Sequence, residues 1–197
     1  VRSHPLDFPP PVPGSGKAIG RVLLFCGSRA GADPRHAALA ADVGRLLAQL
    51  GIGLVYGGGA LGLMGEAGRA VLAGGGTAEG VIPRFLKDWE VAEPLCEDLT
   101  VVDSLHARKT VMFERADAVL ALPGGLGTLD ELIEVMSWRN LGLHAKPIWL
   151  MDDGAYWAPL VALLEHVVAA GFADPGIMSH VEVLPDAPAL AARLAGS

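Results

Sequence analysis

Seven short apolar runs, most of them β-branched and closed by glycine, serine, aspartate or proline, alternate with longer Ala/Leu segments, and this alternation constrains the chain most. Runs of this kind, interleaved with segments of helical period, specify a parallel β-sheet covered by helices. The strand candidates are "RVLLFCG" (21–27), "IGLVYGG" (52–58), "TAEGVIP" (77–83), "LTVVDS" (99–104), "AVLALPG" (118–124), "KPIWLMD" (146–152) and "VEVLP" (181–185). Helices are expected at about 34–50, 62–74, 105–117, 128–141, 156–170 and 187–195. The fold class is therefore α/β, a single Rossmann-like doubly wound sheet with helices on both faces.

In an open parallel sheet, ligands bind beyond the carboxyl ends of the strands. Four polar or glycine-rich clusters should converge there: "CGSR" (26–29), "YGGGALGLMG" (56–65), "DSLHARK" (103–109) and "PGGLGTLDE" (123–131). Candidate ligand contacts are drawn from them: Gly27 and Ser28, then Gly58, Gly59 and Met64, then Lys109, and finally Gly124, Gly125, Gly127 and Thr128.

The "PGGLGT" stretch combines close backbone approach with a helix N-terminus, where unpaired N–H groups favour an anion. It lacks the Gly-Lys-Ser/Thr ending of a nucleoside triphosphate loop, so a monophosphate without magnesium fits better. The "GGGALG" stretch (57–62) fits a dinucleotide-type glycine pattern, with Glu79 near the place of a ribose-binding acid. Plain turn geometry explains it equally well. Glu131 is placed in the first turn of its helix, either as an acid that stabilises that helix or as a chemical group. A helical projection sets Leu129, Leu132, Ile133 and Met136 on one face and Glu131, Val135 and Trp138 on the other. Two apolar faces predict burial on both sides, the second against another subunit. Ser104 is expected to cap a helix whose inner stripe includes Leu105, Met112 and Ala116. Arg108 leans toward that stripe and needs an anionic partner, either a buried Asp or Glu or a ligand. Lys109 is rotated by about 100° and need not share the role.

Composition removes several classes. A formal net charge of −7 disfavours nucleic acid and anionic membrane as partners. The unbroken run of ~20 apolar residues that a membrane span requires does not occur. Cys26 and Cys96 lack metal or redox spacing, which suggests the cytoplasm, with Cys26 a core residue. The six histidines show no metal-binding spacing, so no metal is expected. No Gly-x-Ser-x-Gly elbow is present. Residues 1–17 read as a flexible Pro-rich tail and 18–197 as the single domain.

"PGGLGTLDE" resembles the P-G-G-x-G-T-x-x-E signature of the LOG (Lonely Guy) family, the cytokinin riboside 5′-monophosphate phosphoribohydrolases, which are often mislabelled as lysine decarboxylases. The similarity runs over about 20–195 and includes "FCGSR", "GIGLVYGGGALGLMG", "GVIPRFL", "DSLHARK" and "WRNLGLHAKPIWLMD" in order. It implies a nucleotide-binding catalytic domain that hydrolyses the N-glycosidic bond of AMP or an N6-modified nucleoside 5′-monophosphate without a cofactor. By resemblance the essential pair falls on Arg108 and Glu131, with a homodimer formed near the helix that carries Glu131 and Trp138. Arg29 and Glu79 depart from the family pattern, which has serine and an apolar residue there. The alternative from another class is a non-catalytic nucleotide or molybdenum-cofactor carrier on the same fold.

Overall fold

The computed structural model describes residues 18–90, 98–152 and 154–196, without the side chains of 88–90. The tail expected at 1–17 and Cys96 lie outside the described residues. Strands β1 (Arg21–Phe25), β2 (Gly53–Tyr56), β3 (Ala78–Pro83), β4 (Asp98–Val102), β5 (Ala118–Ala121), β6 (Ile148–Met151) and β7 (Glu182–Leu184) form one sheet in the order β4-β3-β2-β1-β5-β6-β7. Every neighbouring pair is parallel. The order reverses between β1 and β5, which pair through Val22↔Ala118 to Phe25↔Ala121. That reversal opens a crevice at the strand ends where ligands can enter.

The helices are α1 (Pro34–Leu50), α2 (Gly62–Ala73), α3 (Arg84–Glu90), α4 (Leu105–Arg115), α5 (Leu126–Asn140), α6 (Ala158–Ala169) and α7 (Ala187–Ala195). The period-2 side-chain alternation of the strands separates two cores. Val22, Leu24, Leu54, Leu120 and Met151 meet Leu39, Val43 and Leu47 of α1, Val71 of α2 and Leu190 of α7. Leu23, Phe25, Val119 and Leu150 meet Met112 of α4, Leu132, Val135 and Met136 of α5, and Leu164 of α6. Each such aliphatic side chain, fully buried, contributes roughly 1.5–3 kcal/mol of transfer free energy.

All seven expected strands form. Two short elements were not anticipated, α3 and a 3-10 turn at Pro175–His180. The first is too short to display a helical period, and "PGIMSH" carries loop-forming residues. A third difference concerns α5, which begins at Leu126 rather than near 128. Gly125 is its N-cap, with extended backbone (φ −92°, ψ −157°) and no side-chain cap, so Thr128 falls inside the first turn. Glu131 consequently sits in the second turn, beyond the reach of the dipole argument made from the sequence.

Candidate active site

The β1 and β5 loops meet at the sheet reversal. Gly27 N–H donates to the Pro123 carbonyl at 3.0 Å. A Cβ on Gly27 would fall 3.4 Å from the Gly124 Cα across this junction and 2.8 Å from the Arg29 carbonyl oxygen of its own loop. On the far side, Leu63 and Met64 at the start of α2 donate to the Gly27 carbonyl at 2.9 and 3.4 Å. The N–H groups of Leu63 and Met64 at that helix start are therefore already used by protein. Gly58 has φ +75°, and Gly62, at φ +58°, lies so close to the β1 loop that a Cβ would be 2.4 Å from the Ser28 carbonyl carbon. Turn geometry and tight packing account for this glycine motif, and Gly58 and Gly59 do not line the cleft.

The start of α5 is different. The backbone N–H groups of Leu126, Gly127 and Thr128 donate to no backbone carbonyl among the described residues. A Cβ on Gly124 would collide with Thr128 Oγ1 at 2.1 Å, so glycine at 124 is required to seat that threonine. Gly125 and Gly127 have open space where a Cβ would stand. Their lack of side chains answers no packing need within the chain and leaves the donors approachable from the cleft.

That cleft has a volume of about 740 Å³. Nine of the twelve candidates from the sequence line it: Gly27, Ser28, Met64, Arg108, Gly124, Gly125, Gly127, Thr128 and Glu131. Lys109 does not, nor do Gly58 and Gly59. Lys109 instead bridges Asp130 at 3.0 Å and Glu134 at 2.8 Å, tying α4 to α5 on either side of Glu131. Burial works against its charge, but the hydrogen bonds it donates to Glu134 and Asp130 outweigh it and raise the ammonium pKa.

Ser104 caps α4 by accepting from Ala107 N–H at 3.1 Å, which orients Arg108 inward as expected. Leu105, placed on the inner stripe by its spacing, is 48% exposed instead. Buried Arg108 has neither of the acidic partners considered: Nε donates to the Val81 carbonyl and Nη2 to the Gly57 carbonyl, each at 3.0 Å. Among the described residues Nη1 has no protein acceptor, and the guanidinium borders the cleft. Two carbonyls thus fix a full positive charge that a ligand can complete. Cys26 also lines the cleft, and burial and then the charge of Glu131 push its thiol far up, so it stays protonated.

Glu79 is no ribose acid. It lies at the amino end of β3, with Arg21 at 3.1 Å and Arg115 at 3.7 Å. The second face expected on α5 also needs correction. Val135 is buried in the chain's own core, and half-buried Trp138 packs edge-on against Phe113 at 5.0 Å, so part of that face is already covered within the chain.

The sequence reading missed the opposite wall. Ala30–Asp33, His36 at the start of α1 and Tyr156 before α6 also line the cleft. Asp152 places Tyr156 by accepting from Gly154 N–H at 2.9 Å and Trp157 N–H at 2.7 Å. The Tyr156 hydroxyl then donates to the Gly124 carbonyl and braces the glycine loop. Asp33 is lowered to about 2 by its hydrogen bonds from Arg35. A lone tyrosine outside any motif, such as Tyr156, gives no signal in sequence, whereas a polar Asp-Pro-Arg-His helix start does mark the end of the β1 loop.

A family model described as "Possible lysine decarboxylase" matches residues 64–194. The Rhodococcoides fascians protein named cytokinin riboside 5′-monophosphate phosphoribohydrolase is 43% identical over 84% of this chain and 84% of its own length. The chain belongs to the LOG family. A rice LOG protein, the probable phosphoribohydrolase LOGL9 of Oryza sativa subsp. japonica, is 44% identical over 88% of this chain and 77% of its own. Among solved structures, the molybdenum cofactor carrier protein MCP from Chlamydomonas reinhardtii superposes with a TM-score of 0.68 at 21% identity, covering 90% of this chain and 98% of that one. At that identity it shares the fold with this LOG protein and nothing more can be drawn from it. The two positions that the LOG resemblance singled out, Arg108 and Glu131, face one cleft.

Proposed function

We propose that this protein hydrolyses the N-glycosidic bond of AMP or an N6-modified (cytokinin) nucleoside 5′-monophosphate, releasing free base and ribose 5-phosphate. The observation that carries the reading is one cleft holding unused donors at the α5 N-terminus, a fixed guanidinium and a carboxylate, in a chain whose relatives bear that activity in their names. The 5′-phosphate takes the N–H groups of Leu126–Thr128 and the Thr128 hydroxyl, favoured by the helix dipole. Glu131 lies five residues further along, a rise of roughly 7.5 Å, and helical side chains lean back toward the N-terminus. A ribose anchored by its phosphate therefore lies within reach of the carboxylate.

As the C1′–N bond lengthens, its electron pair leaves with the base and positive charge grows on the sugar. Glu131 stabilises that charge and accepts the proton of the water whose oxygen bonds to C1′, and a proton taken up by the base, from Glu131 or through solvent, completes its release and restores the carboxylate. Arg108 holds the ligand's anionic part or steadies the departing base. Gly27, Ser28 and Met64 shape the floor, and Lys109 acts by fixing α5 rather than by touching substrate. No metal or other cofactor enters this scheme.

Cytoplasmic location agrees with the spacing of the cysteines, and no helix among the described residues is long and apolar enough to cross a membrane. A homodimer is also part of the reading. The face available to a second copy is the one with Leu105, Leu126 and Ile133, which are 48%, 86% and 40% exposed beside the cleft. The carrier alternative is left with the fold alone behind it.

The test is incubation with AMP and with N6-isopentenyladenosine 5′-monophosphate, without metal, with free base quantified beside a Glu131→Gln control. Base release that drops about 10²–10⁴-fold in the control supports the assignment. No release from either nucleotide would sink it.

A further inference from the structure

The phosphate and ribose account for one side of the cleft, leaving the wall built from the β1 loop, α1 and Tyr156. His36 is the distinctive residue there. It lines the cavity, its Nδ1 is enclosed, and that nitrogen has no hydrogen-bond partner among the described residues. Tyr156 connects it to the phosphate side, with ring centroids 5.9 Å apart in an edge-on arrangement and the tyrosine hydroxyl on the Gly124 carbonyl. Among the described residues the imidazole makes no hydrogen bond, so its nitrogens answer no internal pairing need. A purely apolar ring would fill the same space without leaving a buried polar atom unpaired.

The enclosed nitrogen also bears on the tautomer. A buried N–H without an acceptor is less tolerable than a buried lone pair. With Nδ1 enclosed and unpartnered, Nε2 is the nitrogen left to meet a ligand, and the tautomer with its proton there presents a donor to the cleft. Purine rings display unprotonated ring nitrogens at their edges that match such a donor. A prenyl tail offers no acceptor at all.

We infer that His36 is a specificity-determining residue for the leaving base, its Nε2–H donating to a ring nitrogen of a purine held against the His36–Tyr156 wall. This assignment rests on the hydrolase reading and names a contact that reading lacks. The role is recognition of the base, separate from the carboxylate that acts at C1′.

The test compares His36→Phe, His36→Gln and His36→Asn, using AMP turnover, inhibition by ribose 5-phosphate and thermal unfolding. Phenylalanine keeps the ring and removes both nitrogens. Glutamine restores a donor near the Nε2 position, whereas asparagine places one near Nδ1. His36→Phe should lose about three- to tenfold in kcat/KM for AMP, the scale of one neutral hydrogen bond. Its melting temperature should hold or rise, because no internal bond is lost, and its inhibition by ribose 5-phosphate should not change. His36→Gln should recover turnover and His36→Asn should not. Undiminished AMP turnover in His36→Phe, an equal weakening of ribose 5-phosphate inhibition, or no recovery in His36→Gln overturns the assignment while leaving the hydrolase reading intact. A wild-type protein that releases no base overturns both.

Discussion

The guanidinium of Arg108 occupies the space where a side chain at position 57 would stand: a Cβ on Gly57 would lie 2.0 Å from Nη2, the atom that donates to the Gly57 carbonyl. Glycine at 57 is thus a condition for the position of Arg108. Gly57→Ala should displace the guanidinium and cost about 10²–10⁴-fold in base release, comparable to Arg108→Ala. Nucleotide turnover by the purified variant checks this, with circular dichroism as the control for folding. Near-normal turnover would mean that the arginine can do its work from another position.

Gly127 permits the opposite kind of test. A Cβ there meets nothing within 4 Å, and the position is helical. Gly127→Ala should leave the fold intact and raise stability by up to about 1 kcal/mol through helix propensity. If the open space is where phosphate approaches, KM for the nucleotide should rise together with the melting temperature. A rise in stability with unchanged KM would place the phosphate elsewhere.

Lys109 is expected to behave as a positioning residue. Lys109→Met removes the bridge to Asp130 and Glu134 and leaves two acidic groups one turn apart on α5 without their cation. The variant should lose activity mainly in kcat, by less than Arg108→Ala, with KM nearly unchanged. A loss confined to KM would instead indicate direct contact with substrate.

Acid should weaken the fold before the carboxylates titrate. Buried His144 accepts from Lys146 N–H at Nδ1 (3.2 Å), so its proton is on Nε2, which donates to the Val135 carbonyl at 2.8 Å. Burial, foremost, lowers its pKa below the ordinary 6.5, and burial likewise lowers that of His180. The unfolded chain therefore binds protons first as pH falls through about 6.5, and stability declines from there toward the lower folded pKa. Melting temperatures measured from pH 7.5 to 5.5 should fall, and His144→Gln should flatten part of the slope. A profile that is level over this range would contradict the burial of a neutral ring.

Sequence alone determined the alternation of strands and helices, because β-branched apolar runs and amphipathic Ala/Leu segments carry their periods locally. It also located the glycine loop at 123–128 and the inward tilt of Arg108, since strand ends, a serine cap and helical spacing are features of neighbouring residues. Three matters needed the tertiary structure. The two glycine loops look alike as strings, yet only the folded chain shows that the Leu63 and Met64 donors of α2 are taken by the Gly27 carbonyl while those of Leu126–Thr128 in α5 donate to no backbone carbonyl among the described residues. The partners of Arg108 proved to be backbone carbonyls of Val81 and Gly57, and a carbonyl leaves no mark of its own in a sequence. His36 and Tyr156, 120 positions apart, share one wall because the sheet order places the loops after β1 and β6 on the same edge. Such encounters depend on how strands are ordered across the sheet, and no local pattern of side chains specifies that order.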